Sequence, residues 1–169
     1  MSNQNDHGRS TRGRLMISIC VLIGAGIVLF GGRGLAAKAP NADKTAVQFV
    51  RASDPMAPFS AAVRVENILY LSGQIGAGAD GRLPPQFADQ ARQTMENIRA
   101  TLNASGSSID DVFKCTVMLA DMSHWEEFNK LYVTYFKPDR LPARSAIGAN
   151  GVARGAMLEL ECAAYSPRR

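Results

Sequence analysis

The sequence predicts an α+β domain, a mixed and mainly antiparallel sheet with two helices packed on one face. Three observations predict it. Short apolar runs of strand length are separated by turn residues, and two longer segments carry apolar side chains at helical spacing. Their order along the chain is β-β-β-α-β-α-β-β.

Residues 47–50 form a short β-like run, followed by a Pro-punctuated loop, SDPMAPF, ending at Phe59. Residues 61–66 alternate, and 68–71 resume after Asn67, which reads as a hairpin whose second strand runs out through Ser72, Gly73, Gln74 and Ile75. A Gly/Pro-rich loop follows over 76–85. Phe87, Ala91, Met95, Ile98 and Leu102 then mark one stripe of a helix, with Arg92, Glu96 and Arg99 opposite and Gly106 as its stop. Residues 112–119 (VFKCTVML) are a strand of unequal faces. Ser123 and Glu126 fit a capping box for a second helix over 125–136, burying Trp125, Phe128, Tyr132 and Phe136 and ended by Lys137-Pro138. Two last strands fall around 143–149 and 157–164. A two-layer sheet of this kind leaves one face uncovered, and that face predicts an oligomer.

The basic character sits in front of the domain. Residues 1–40 hold five basic side chains against Asp6 alone, whereas 41–169 hold fourteen of each sign. A neutral domain exerts no net pull on phosphate backbones, so no nucleic-acid partner is expected. Residues 1–14 are polar and basic, 15–32 form an apolar segment, and 33–45 are a small-residue linker leading to a domain over 46–169. That order is a secretory signal or a membrane anchor. The arginines should stay cytoplasmic, leaving the domain membrane-anchored outside the cytoplasm through residues 15–32, or secreted or periplasmic after cleavage behind Ala36 or Ala37.

Cys20 lies in the apolar segment; Cys115 and Cys162 lie in strand-like runs and read as buried thiols, with a disulfide left open because sequence shows no Cα separation. Cys/His spacing suggests no metal, and His7 and His124 are isolated.

Several motifs are more specific than the pattern. APFS at 57–60, LSGQI at 71–75, QARQ at 90–93 with ENI at 96–98, Phe128-Asn129 with Tyr132, LPARS at 141–145 and LELE at 158–161 occur in sequence. Together they resemble the reactive intermediate (imine) deaminases, also called the YjgF family, with its "GPYSQA…SGQI" start, "PPARS" element and "(I/V)E(I/V)E" strand. The resemblance covers about residues 46–165. It implies a chorismate-mutase-like fold, a homotrimer with ligand clefts between subunits, no cofactor, and hydrolysis of 2-imino or enamine acids to 2-keto acids and ammonia. It also implies the roles. Arg144 grips the substrate carboxylate, which suits a planar guanidinium. Glu159 orients the attacking water as general acid/base, across a cleft from that cation. Ser72, Gly73 and Asn129 line the cleft.

Each residue has a plainer reading beside that one. A lone arginine is usually a surface ion pair, and Glu159 and Glu161, two apart on a strand, are usually a solvated face. The hydroxyl of Ser72 reads as a turn stabiliser and Asn129 as a helix-face amide. Two positions depart from the family. Phe59 stands where a cleft tyrosine is usual, and Ala146 stands where cysteine or threonine is usual; each removes a polar contact. The stretch 148–155 (GANGVARG) is also richer in glycine. The competing function is therefore a non-catalytic module that binds or senses a small carboxylate. A nuclease reading is disfavoured by the neutral domain.

Overall fold

A computed structural model describes residues 47–167. The expectations for residues 1–14, 15–32 and 33–45 lie outside the described residues. Within them the strands are β1 (Val47–Arg51), β2 (Ser60–Val65), β3 (Ile68–Leu71), β4 (Gln74–Ile75), β5 (Val112–Leu119), β6 (Ala143–Gly148) and β7 (Leu158–Tyr165). The helices are α1 (Phe87–Ala104) and α2 (Trp125–Tyr132). One sheet runs β1-β2-β3-β7-β5-β6, with β4 also on β7. Only β5 and β6 pair parallel; the other pairings are antiparallel. The mixed, mainly antiparallel sheet with two helices is as predicted.

Strand parity places the core. Leu69 and Leu71 on β3, Cys115, Val117 and Leu119 on β5, and Leu158, Leu160 and Cys162 on β7 are all buried. They meet the α1 stripe of Phe87, Ala91, Met95, Ile98 and Leu102, which is buried in full as its spacing predicts. Gly106, in the left-handed region at φ 73, ends α1, and the Ser107 N–H reaches back to the Leu102 carbonyl. The other sheet face is open. Val65, Tyr70, Phe113, Ile147 and Tyr165 are exposed there.

The structure corrects the hairpin's end. The pairing of β3 with β7 (Tyr70↔Ala163) shifts by one residue before β4 (Gln74↔Leu160). The break lies at Ser72-Gly73, so the expected continuous strand is two strands joined by an irregularity. The shift turns Gly76 onto α1, where a Cβ would collide with the Gln90 backbone.

The second helix is also shorter than predicted. It ends at Tyr132 and tightens into a 3₁₀ turn, Val133–Tyr135. Its expected capping box does not form: Ser123 belongs to a preceding 3₁₀ turn, and its N–H donates to the Asp121 carboxylate. A capping box forms instead between Ser108 and Asp111.

Cys115 and Cys162 are buried, but not as free thiols. They stand directly opposite on β5 and β7, facing the core, with Cα atoms 4.1 Å apart, and form a disulfide. Neither residue's neighbours in sequence announce that register.

Candidate functional site

Arg144 lies on β6, the strand at the sheet's edge. It pairs with Cys115, which faces the core, so the arginine side chain starts on the helix side of the sheet. There α2 receives it. The guanidinium carbon lies 4.6 Å from the Trp125 ring centroid, 4.5 Å from that of Tyr132 and 5.5 Å from that of Phe128. Arg144 Nη2 donates to the Asn129 amide oxygen at 2.5 Å. Trp125, Phe128, Asn129 and Tyr132 recur at helical spacing and share one face of α2.

The electrostatics of this box are unusual. With the described residues Arg144 makes no ion pair, because the salt bridges there join other side chains. Its Nη1 is shielded from solvent and has no hydrogen-bond partner, and neither does the Tyr132 hydroxyl. Burial draws the Arg144 pKa below its ordinary value, with the neighbouring Tyr132 opposing the shift. Burial also pushes the Tyr132 phenol up to about 12, an effect that the arginine's charge reduces. The phenol is therefore a neutral O–H donor at ordinary pH. The box holds a cation by π faces and one amide oxygen, and leaves its charge uncompensated.

Glu159 occupies a different place. It pairs with Met118 on β5 and Ile75 on β4. Its neighbours Leu158 and Leu160 face the core, so Glu159 points to the uncovered face. Its carboxylate lies over Gly73, in the space a Cβ there would fill. Ser72, next to Gly73, uses its hydroxyl to donate to the Ser60 carbonyl at 2.6 Å and its N–H to reach Ala61 O at 3.0 Å. The hydroxyl thus ties the end of β3 to the start of β2. Phe59, just before β2, is exposed.

The proposed site residues therefore fall into two groups. Arg144, Asn129 and the half-buried Ala146 stand on the helix side. Glu159 and Gly73 stand on the opposite face, with Ser72 and Phe59 at the end of the hairpin. Within one chain the cation and the acid do not meet. The reason is parity: Arg144 aligns with Cys115, and Glu159 aligns with Met118, three residues on, so their side chains leave the sheet on opposite sides.

Sequence reasoning assigned the aromatic residues of α2 only to the core. The signal that marks them otherwise is Asn129 interrupting the stripe at the level of two aromatic turns. Among the described residues no group of three or more His, Cys, Asp or Glu side chains is placed to hold a metal ion.

Comparison with known proteins identifies the family. The sequence model of the endoribonuclease L-PSP family matches residues 49–166. A mouse protein named 2-iminobutanoate/2-iminopropanoate deaminase is 36% identical over 120 residues, 70% of this chain and 88% of the mouse protein. The chloroplastic Reactive Intermediate Deaminase A of Arabidopsis thaliana is 33% identical over 132 residues, 77% of this chain and 70% of its own. The crystal structure of RidA from an Antarctic Psychrobacter species superposes with a TM-score of 0.64 at 34% identity, covering 71% of this chain and 98% of that one. The YjgF gene product of E. coli gives a TM-score of 0.62 at 28% identity, covering 72% and 94%. The fold, the motif order and the matched span agree, and the chain belongs to the endoribonuclease L-PSP family, the reactive intermediate deaminase (YjgF) family that its motifs resemble.

Proposed function

We propose that this protein hydrolyses reactive 2-imino and enamine acids to 2-keto acids and ammonia, without a cofactor, in clefts between copies of the chain. The observation that carries this reading is the Arg144 guanidinium, held in place by α2 yet lacking any acidic partner among the described residues. A desolvated cation of this kind suits a substrate carboxylate, and its planar fork fixes the plane of the imine beside it. The names of the mouse and Arabidopsis relatives support the same chemistry.

The steps balance without an added reactant. An enamine first tautomerises to the imine. Water oxygen then bonds to the imine carbon as the C=N π pair moves onto nitrogen, and Glu159 accepts the water's proton. Glu159 passes that proton to the nitrogen, the hydroxyl proton follows by the same route as C=O forms and the C–N bond breaks, and ammonia leaves carrying both of the water's protons.

Because Arg144 and Glu159 leave opposite faces of one sheet, the reaction needs a second copy to bring its acid to this copy's cation. The uncovered apolar face supports such an assembly, and a homotrimer is its expected form. Light scattering on the full chain should give three times the chain mass, and a monomer active at the same concentration would sink the composite site.

The test of the activity is ammonia release from freshly generated imino acids by the full-length protein. Arg144→Ala should abolish it and Glu159→Gln should reduce it strongly; normal turnover by Arg144→Ala overturns the proposal. Phe59 and Ala146, which add no polar group near these residues, favour a second reading, a module that binds a small carboxylate without turnover. Thermal stabilisation by pyruvate with no ammonia release would select it. RNA cleavage, to which the family's name points, requires salt-dependent RNA binding, and RNA added to the same protein tests it.

We further assign the domain to the outside of the cytoplasm, anchored through residues 15–32 or released after cleavage. Arginines ahead of an apolar segment support this, and so does the Cys115–Cys162 disulfide, a bond that persists in oxidising compartments. Protease added to intact cells should digest the domain; complete protection, with both thiols free, contradicts the assignment.

A further inference from the structure

We propose that Trp125 and Tyr132 are positioning residues that set the plane of the Arg144 guanidinium by their ring faces, so that α2 fixes the orientation in which the site takes a carboxylate. This rests on the reading of Arg144 as the substrate's carboxylate grip.

The geometry points this way in three respects. First, the guanidinium carbon is almost equally distant from two rings, 4.6 Å from Trp125 and 4.5 Å from Tyr132, both inside the range of cation–π attraction. Second, those rings come from positions seven apart on one helix, so a single rigid element supplies both faces, with Asn129 between them holding Nη2. Third, no carboxylate among the described residues competes for the cation, and Nη1 has no acceptor. A shielded N–H without an acceptor is unfavourable until one arrives. The buried Arg64 has its guanidinium taken up by the Ser166 and Ser105 carbonyls, as a structural arginine does; Arg144 is oriented but leaves Nη1 without an acceptor. A planar cation held in one orientation meets a planar carboxylate with little ordering left to do, whereas a free arginine would have to be ordered at each binding event.

The rings, not their polar atoms, carry the effect. Tyr132→Phe keeps the face and removes only a hydroxyl that makes no hydrogen bond, so it should leave pyruvate affinity within about twofold of the parent. Trp125→Phe keeps an aromatic face at the first turn of α2 and should stay within about threefold. Trp125→Leu keeps apolar bulk and removes the π face; it should weaken pyruvate binding about tenfold.

The experiment is calorimetric titration of pyruvate into the full-length protein and these three variants, with NMR of the arginine Nε–Hε signals. In the parent, ring currents should move the Arg144 signal upfield, and Trp125→Leu should return it towards the others while Trp125→Phe retains most of the shift. A merely structural tryptophan moves melting temperature but leaves this signal in place. Wild-type affinity in Trp125→Leu, or equal losses in the Leu and Phe variants, overturns the inference and leaves the carboxylate grip standing. An Arg144 signal without an upfield shift in the parent overturns it as well, even if no variant folds. A parent protein that ignores pyruvate removes the grip itself and this inference with it.

Discussion

The two halves of the proposed site are built on opposite principles. Around Arg144 a single chain supplies everything: an edge strand for the cation, one helix for its aromatic walls, and an amide for its Nη2. Around Glu159 the chain supplies a carboxylate over a glycine, on a sheet face that it leaves open. On the proposed reading the grip is complete before assembly, and the acid waits for a neighbour. The difference teaches that, in the proposed site, binding and chemistry are separable by mutation, since the two side chains leave opposite faces of the sheet.

The largest expected effect tests that separation directly. Arg144→Ala should lower kcat/KM about a thousandfold, about 4 kcal/mol, while the melting temperature changes little, because Arg144 joins none of the ion pairs among the described residues. A matching collapse in stability would make the arginine structural.

Next comes the disulfide, which stands in the same row as Arg144 across β7, β5 and β6. Reducing it, or replacing both cysteines with alanine, should lower unfolding free energy by about 3 kcal/mol in denaturant melts. If the loss is confined to stability, the row is only a staple; if pyruvate affinity falls too, the grip depends on it.

The Tyr132 phenol predicts a pH window. Its pKa is about 12 in the folded chain against an ordinary 10.0, so the fold favours the protonated form. The sign follows: this stabilisation is complete below pH 10.0 and is lost as pH rises towards about 12, on the order of 2 kcal/mol. Tyr132→Phe should flatten that part of the alkaline melt. An unchanged profile would show that the phenol is hydrated and the box open.

The smallest effect belongs to the other half. Gly73→Ala places a methyl group where the Glu159 carboxylate lies, and a flexible side chain can move aside. Turnover should fall about tenfold, about 1.4 kcal/mol in the barrier, with pyruvate affinity unchanged. Loss of affinity instead would place both halves in one binding step.

Much of the fold is legible in residues that repeat. The α1 stripe from Phe87 to Leu102 and the alternation of β5 report their own burial, since each side chain's direction follows from its position in a regular element. The failures are local competitions. Ser123 and Glu126 satisfy a capping-box pattern, but Asp121 reaches the Ser123 N–H first. Residues 72–75 look like more strand, but a one-residue shift at Gly73 hands Gln74 and Ile75 to another part of β7.

By itself the sequence determined the two-layer α+β order, the family, and which side chains are candidates for the chemistry: Arg144 beside Ser145 in LPARS and Glu159 within LELE. Those follow from periodicity and from motifs that are local in the chain. Only the tertiary structure decided that Cys115 meets Cys162, that α2 builds a box around the arginine, and that arginine and glutamate leave the sheet on opposite sides. These depend on strand register between segments dozens of residues apart, and a slip of one residue would reverse every one of them.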